Sequence, residues 1–355
     1  MRNISIHRSA LMGFAALWIY YFHIVPVELF SRGQQPSELA IYFHGEGFCG
    51  VDIFLLVSSF GLAYAFQKER VTDARSYRKY LVRRFSRIYT VLLPTALVIG
   101  LVDNWSLREF FGRITGLRQL WIDVYDFLWF VPCILLFYLL APFYYALFYR
   151  ARRKGTFTLV AIVLMLAINF ALRNVARYDL YGILTRIPVF LLGFYFGHLS
   201  IEDKKLTACG TLGAVVCLMA GLWYSFCLSQ QKTVWLLPAY NAQVNLFIAP
   251  SIALLLANLC QLAKESSIPK MVKRIGRGIY AVFGFFGAIS FEFYVVQEWV
   301  WLKVCNSSTL QALLGSSMER MQAGCFLLTL VGAVGLHWIA GRLSHPAISR
   351  KKRKC

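Results

Sequence analysis

The sequence predicts an all-α membrane protein that crosses the bilayer about ten times, with both termini in the cytoplasm. Of its 355 residues, 58% are hydrophobic and 15% are charged, whereas charged residues make up about 25% of a typical soluble domain. A membrane-spanning helix needs roughly 20 mostly apolar residues. Ten such windows occur, at 9–30, 48–66, 88–102, 127–149, 156–172, 181–199, 206–228, 243–263, 279–302 and 322–341.

The spacing of these windows and the distribution of charge define the predicted organisation. No Gly/Ser-rich or Pro-rich linker separates the windows, so residues 1–355 are predicted to form one integral-membrane domain. The net charge is +20, and most of the 37 Lys and Arg residues fall on one side when the N-terminus is placed in the cytoplasm. The tail Arg350–Lys354 is therefore interpreted as an anchor for orientation and for lipid headgroups. Nucleic acid is not expected as a partner.

Two polar residues interrupt the first two windows. A rise of about 1.5 Å per residue from Arg8 places His23 about 22 Å along the first helix, in the outer half of the bilayer. The second helix runs in the opposite direction, so Asp52 enters at a similar depth. A carboxylate beside an imidazole fixes its tautomer and favours a general base that acts on a hydroxyl. A structural hydrogen bond between two helices is the alternative interpretation.

Basic residues are concentrated between the second and third windows, with eight Lys and Arg from Lys68 to Arg87. Arg83, Arg84 and Arg87 are predicted to share one helical face and to converge on a polyanion. The planar guanidinium group suits phosphate because it donates two parallel hydrogen bonds. A stop-transfer or lipid-binding cluster is the alternative.

Later windows also contain polar residues. Ser290, Tyr294 and Gln297 follow i, i+4, i+7 spacing in the ninth window and are predicted to share a face. Arg186 is a charge within the sixth window. It is expected either to pair with Glu292, which would neutralise two costly intramembrane charges, or to take a direct role.

Taken in order, these motifs resemble those of the acyltransferase-3 family of bacterial inner-membrane acyltransferases. The resemblance covers nearly the whole chain and is carried by His23, the segment 50–54 with Ser58, the cluster 83–87, the segment 128–130, the segment 186–193 and the segment 290–294. It implies a ten-helix protein that moves an acyl group, usually acetyl from cytoplasmic acetyl-CoA, to a hydroxyl at the outer face. The implied acceptor is a surface glycan or a lipid-linked sugar, and the implied location is the bacterial inner membrane.

The resemblance also implies roles for individual residues. His23 would be the catalytic histidine, Asp52 the acidic residue of the second helix, and Arg83, Arg84 and Arg87 the holders of the coenzyme phosphates. The nine cysteines show no metal-binding spacing, so no metal is expected.

Two departures from the family pattern bear on these roles. Met12 stands where the family usually has an arginine eleven residues before the histidine, and Arg8, one turn earlier, is a candidate to replace it. Gln297 stands where the family often has a histidine. Two other classes therefore stay open, namely a transporter or lipid flippase and a non-catalytic sensor or scaffold with the same fold.

The mechanism expected from these residues has a donor on one side of the membrane and an acceptor on the other. The arginine cluster clamps the coenzyme, its pantetheine arm passes between helices, and His23, oriented by Asp52, deprotonates the acceptor hydroxyl. Further candidates for binding substrate or stabilising an oxyanion are Trp129, Arg186, Ser290 and Tyr294. The sequence does not specify the acceptor, the acyl group or the oligomeric state.

Overall fold

The structure is a computed structural model that describes residues 1–24, 38–118, 128–176, 181–230, 241–263, 270–314 and 317–352. Within these ranges the regular secondary structure is helical. The helices of the first half are α1 Arg2–Ile6, α2 Arg8–Ile24, α3 Glu38–Gly45, a 3-10 turn at Glu46–Cys49, α4 Gly50–Lys68, α5 Ala74–Val102, α6 Leu107–Thr115, α7 Phe130–Arg150 and α8 Lys154–Ala176. Those of the second half are α9 Tyr181–Leu184, α10 Ile187–Ile201, α11 Ala208–Ser229, α12 Asn241–Leu262, α13 Lys270–Ala288, α14 Ser290–Asn306, α15 Ser308–Leu314 and α16 Met318–Lys352.

The predicted all-α, polytopic fold is confirmed. Among the described residues, seven helical stretches are long and apolar enough to cross a membrane, or eight if one bent pair of helices counts as a single span. The windows 9–30 and 181–199 contain shorter helices, α2 with 17 residues and α10 with 15. Residues 25–30 of the first window lie outside the described residues.

The ninth window, predicted as one helix over 279–302, is broken. Helix α13 ends at Ala288, helix α14 begins at Ser290, and the two are bent by 78°. The hydroxyl of Ser290 donates a hydrogen bond to the carbonyl of Gly287 across the break, at 3.2 Å. The bend allows α13 to run along α2 while α14 packs against α16.

The third window is the end of a longer helix. Helix α5 has 29 residues, so most of the basic segment predicted before the third span forms its first four turns or so. Asp73 begins it with a capping box, in which its carboxylate accepts from the backbone N–H of Ser76 and the Ser76 hydroxyl accepts from the backbone N–H of Asp73. The arginines of this segment therefore have fixed helical positions.

Close backbone packing fixes the helices at the centre of the molecule. A Cβ atom at Gly13 of α2 would lie 1.8 Å from the carbonyl oxygen of Phe283, and one at Gly287 of α13 would lie 1.8 Å from that of Ser9. Helix α10 approaches α4 in the same way, since a Cβ at Gly193 would lie 2.0 Å from Oγ of Ser59. Neither crossing leaves room for a side chain.

The loop 103–126, between the third and fourth windows, contains a short helix. Helix α6 occupies its first half, starts with a capping box between Ser106 and Glu109, and ends at Gly116 in the left-handed conformation. Ile114 is buried, whereas Leu107 and Phe111 are exposed. Residues 119–126 of the loop and residues 353–355 of the basic tail lie outside the described residues.

Candidate functional site

A cavity of about 660 Å³ lies between α2, α4, α5, α7, α14 and α16. Its cytoplasmic end, by the predicted orientation, carries the guanidinium groups of Arg8, Arg84 and Arg87. Further along the same helices its wall contains Met12, Ser58, Val91, Ile134, Ser290, Glu292 and His337. Its far end is closed by Phe54, Phe130 and Tyr294. Positive charge from arginine is thus concentrated at one end and aromatic surface at the other.

Three arginines converge on the cavity, but they are not the trio predicted from the sequence. Arg83 points away and forms an ion pair with Glu69, with Nη2 and Oε2 2.9 Å apart. Arg83 is about 100° from Arg84 and about 40° from Arg87 around the helix axis, so its ion pair with Glu69, rather than the helix geometry alone, turns its side chain away from the cavity. Arg8 takes its place, and the absence of a side chain at Gly61 admits it, because a Cβ there would lie 3.2 Å from Nη1 of Arg8.

Aromatic rings surround the guanidinium of Arg84, whose central carbon lies 5.7 Å from the ring centroid of Tyr138 and 5.9 Å from that of Tyr80. Contact with ring faces attracts a cation and leaves its N–H groups available to an anion. Arg8 stands one turn before Met12, and both line the cavity. The candidate replacement for the family arginine therefore lies beside Arg84 and Arg87.

Tyr294 lies at the far end of the cavity. Its hydroxyl oxygen accepts a hydrogen bond from the backbone N–H of Phe130 at 3.3 Å, and the two rings meet edge to face. Gln297 follows three residues later on the same helix, a rise of about 4.5 Å. The cavity therefore ends one helical turn from the polar residues that contact His23.

His23 contacts Gln297 and Glu298 rather than Asp52. Nε2 of Gln297 donates to Nδ1 of His23 at 3.1 Å, and Nε2 of His23 lies 3.8 Å from Oε2 of Glu298. The predicted contact between His23 and Asp52 is wrong, because the described partners of Asp52 lie on other helices. Oε1 of Gln297 is buried without a hydrogen-bond partner among the described residues, so a half-turn of the amide would present an acceptor to His23 instead.

Asp52 belongs to a buried polar cluster of α4, α10 and α12. It forms an ion pair with Arg186, and Nδ2 of Asn245 donates to its Oδ2 at 2.7 Å. The side chains of Asp52 and Arg186 are 0% and 5% exposed. Charges so deeply buried require a partner, and here each neutralises the other. The cluster therefore accounts for Asp52 as a structural contact between helices.

The predicted pair of Arg186 with Glu292 is wrong. Oε1 of Glu292 instead lies 2.9 Å from Nδ1 of His337 on α16. The guanidinium of Arg186 is enclosed by the rings of Phe48 and Trp129, whose centroids lie 5.2 and 5.8 Å from its central carbon. Trp129 thus packs against the Asp52 cluster and is not among the cavity residues.

Sequence analysis did not single out His44, Asn245 or His337, and it assigned no role to Glu298. His44 is buried and its ring stacks on Phe22, the neighbour of His23. Asn245 and His337 are polar residues inside the eighth and tenth windows, which is the signal that could have found them. Glu298 follows directly on Gln297, but its sequence position does not show which helix it faces.

The fold and the site define a multi-pass membrane protein with a cationic cavity between its helices and an imidazole–carboxylate pair one turn beyond the cavity. The chain belongs to the acyltransferase-3 family, since a family model described as an acyltransferase domain matches residues 10–348. Membership supports an enzyme that transfers acyl groups, and it favours this class over a transporter.

One curated relative is similar over part of its length. Acyltransferase MdmB of Streptomyces mycarofaciens is 32% identical over 101 residues, which are 28% of this chain and 24% of that protein. The matching region thus spans about a quarter of the relative. No solved structure matches the chain.

Proposed function

We propose that this protein transfers an acetyl group from cytoplasmic acetyl-CoA to a hydroxyl of a surface polysaccharide or lipid-linked sugar at the outer face of the bacterial inner membrane. The observation that supports it best is the cavity that begins at Arg8, Arg84 and Arg87 and ends at Tyr294. Acyl-CoA has an anionic end, which suits the arginines, and a neutral, reactive end, which would lie at the far end of the cavity near Tyr294.

In this proposal the donor binds with its phosphates at the guanidinium end. Arg8, Arg84 and Arg87 come from two different helices, so together they can surround a polyphosphate and donate charge-assisted hydrogen bonds from several sides. The pantetheine arm then passes along the uncharged wall formed by Met12 and Ile134. The thioester reaches the aromatic end, where little water competes for the acyl carbon.

His23 acts as the general base in the proposed reaction. The half-turn of the Gln297 amide described above lets Oε1 accept a hydrogen bond from Nδ1–H of His23. The lone pair of Nε2 of His23 can then take the proton of the acceptor hydroxyl. The hydroxyl oxygen forms a bond to the acyl carbon, the carbon–sulfur bond breaks, and the His23 imidazolium gives its proton to the departing thiolate. The nearby Glu298 carboxylate stabilises the imidazolium formed in between.

Tyr294 is the proposed donor to the oxyanion of the tetrahedral intermediate. Its hydroxyl lies at the end of the cavity, where the hydrogen bond from the backbone N–H of Phe130 orients it. Rotation of this side chain would also join the cavity to the His23 side of α14. Asp52, in this proposal, positions the second helix and takes no proton.

The test replaces His23 with alanine and compares surface glycans by mass spectrometry. His23→Ala is expected to abolish the acetyl-sized mass increment on the glycan while the purified protein still binds acetyl-CoA. His198→Ala is the matched control, because His198 contacts Glu202 at the other end of the helix bundle. Acetylation that survives in His23→Ala, or purified wild type that fails to bind acetyl-CoA, would overturn the proposal.

A further inference from the structure

Glu292 and His337 form a carboxylate–imidazole pair inside the cavity. This pair has no role in the acyl transfer proposed above. Glu292 is only 7% exposed overall, and its carboxylate lies 2.9 Å from the imidazole of His337. Both side chains line the cavity. His337 is the more accessible partner, with about half of its side chain exposed.

The pair lies between the two ends of the cavity. On α16, Ala340 and Gly341 also line the cavity and follow His337 towards the cytoplasmic end of the helix. On α14, Glu292 precedes Tyr294 by two residues, a rise of about 3 Å. Glu292 is therefore close to the level that the acyl group of a bound donor would occupy, and beyond the level of Arg84.

We infer that Glu292, held by His337, is a specificity-determining residue that admits donors with uncharged acyl groups and rejects those with a carboxylate on the acyl chain. This inference rests on the proposed function, because it concerns the same donor and the same cavity. It narrows the donor to acyl groups such as acetyl, propionyl or butyryl.

The physical reason is repulsion between like charges where water is scarce. A second carboxylate near Glu292 would raise the energy of the bound donor, and this kind of repulsion is a common device of negative selection. His337 can carry at most one positive charge, which Glu292 balances. The pair therefore has no net positive charge that could attract an acidic acyl chain. The guanidiniums of Arg8, Arg84 and Arg87 are occupied by the phosphates in this arrangement.

The experiment compares two donors of equal chain length. Butyryl-CoA and succinyl-CoA both carry four-carbon acyl groups, and only succinyl ends in a carboxylate. Each competes with radiolabelled acetyl-CoA for the purified full-length protein in nanodiscs. Wild type is expected to bind butyryl-CoA at least tenfold more tightly than succinyl-CoA, and Glu292→Gln is expected to reduce this preference at least fivefold while acetyl-CoA binding changes less than threefold.

Two further variants keep the test decisive. Glu109→Gln makes the same substitution on α6, outside the cavity, and is expected to leave the preference unchanged. His337→Gln keeps a hydrogen-bonding group but cannot carry a positive charge, so it is expected to retain or increase the preference for butyryl-CoA. Since His337 is half exposed, this variant should fold even where Glu292→Gln does not.

The results distinguish a failure of the proposed specificity role of Glu292 from a failure of the proposed function. Binding of butyryl-CoA and succinyl-CoA with equal affinity to wild type, an unchanged preference in Glu292→Gln, or a reduced preference in His337→Gln would overturn the specificity role and leave the proposed function standing. Wild type that binds none of the three thioesters would overturn the proposed function itself.

Discussion

The buried pair of Asp52 and Arg186 gives a prediction that separates a structural role from a catalytic one. Asp52→Ala leaves the guanidinium of Arg186 buried without its carboxylate. Removing one member of a buried ion pair costs about 3–5 kcal/mol, and the exposures of 0% and 5% place this pair at the buried extreme. We expect Asp52→Ala to lower the free energy of unfolding by about that amount.

The double variant tests the cause. Asp52→Asn combined with Arg186→Gln removes both charges and keeps side chains that can hydrogen-bond to each other and to Asn245. Neutral replacement of a buried pair is often close to neutral in stability, so we expect the double variant to recover most of the loss that either single variant shows. The coupling energy between the two sites should exceed about 1 kcal/mol.

The assay measures the unfolding of each variant in nanodiscs and, in parallel, its acetyl transfer. Asp103→Asn is the control, because Asp103 pairs with Lys303 at a site where the two side chains are 22% and 39% exposed, and exposed pairs contribute about 0–1 kcal/mol. An Asp52→Ala variant with wild-type stability and no acetyl transfer would refute the structural role and would instead support a catalytic role for Asp52.

Two further predictions concern the basic helix. Arg84→Gln should weaken acetyl-CoA binding at least tenfold, since a charge-assisted hydrogen bond contributes about 1.5–3 kcal/mol, whereas Arg83→Gln should change it less than twofold; equal effects in a binding titration would contradict the geometry. Hydrogen bonds from Lys79 and then Arg83 lower the pKa of Glu69 to about 2 from 4.5, so the stability they add is present above about pH 4.5 and is lost as the pH falls towards 2. The thermal midpoint of Glu69→Gln at low salt should lie slightly below that of wild type at pH 7 and equal it at pH 2, and a gap that widens in acid would contradict this.

The fold could be predicted largely from composition, because a bilayer requires long apolar helices and the chain is almost entirely made of them. The break at Ile289 could not, since apolar residues continue on both sides of it. The length of α5 was also missed. Its first turns, about four of them, are basic, so hydropathy does not recognise them as part of a helix that continues into the membrane.

Sequence analysis predicted how far along its helix each site residue lies, but not which way its side chain faces around the helix axis. Residue spacing placed His23 about 22 Å along the first helix, and in the structure His23 is the last residue but one of α2. Residue spacing could not show the direction of each side chain. Asp52 and His23 therefore have separate partners, and Arg83 points to Glu69 while Arg8, one turn before Met12, completes the cluster.

The backbone contact between α2 and α13 has a consequence for how a ligand enters. Gly13 and Gly287 meet the opposite chain without intervening side chains, so we expect α2 and α13 to move as one unit. Across the cavity from this contact, α5 exposes Leu93, Leu97 and Leu101. If ligand entry requires a helix to move, we therefore expect α5 to be displaced rather than α2 or α13.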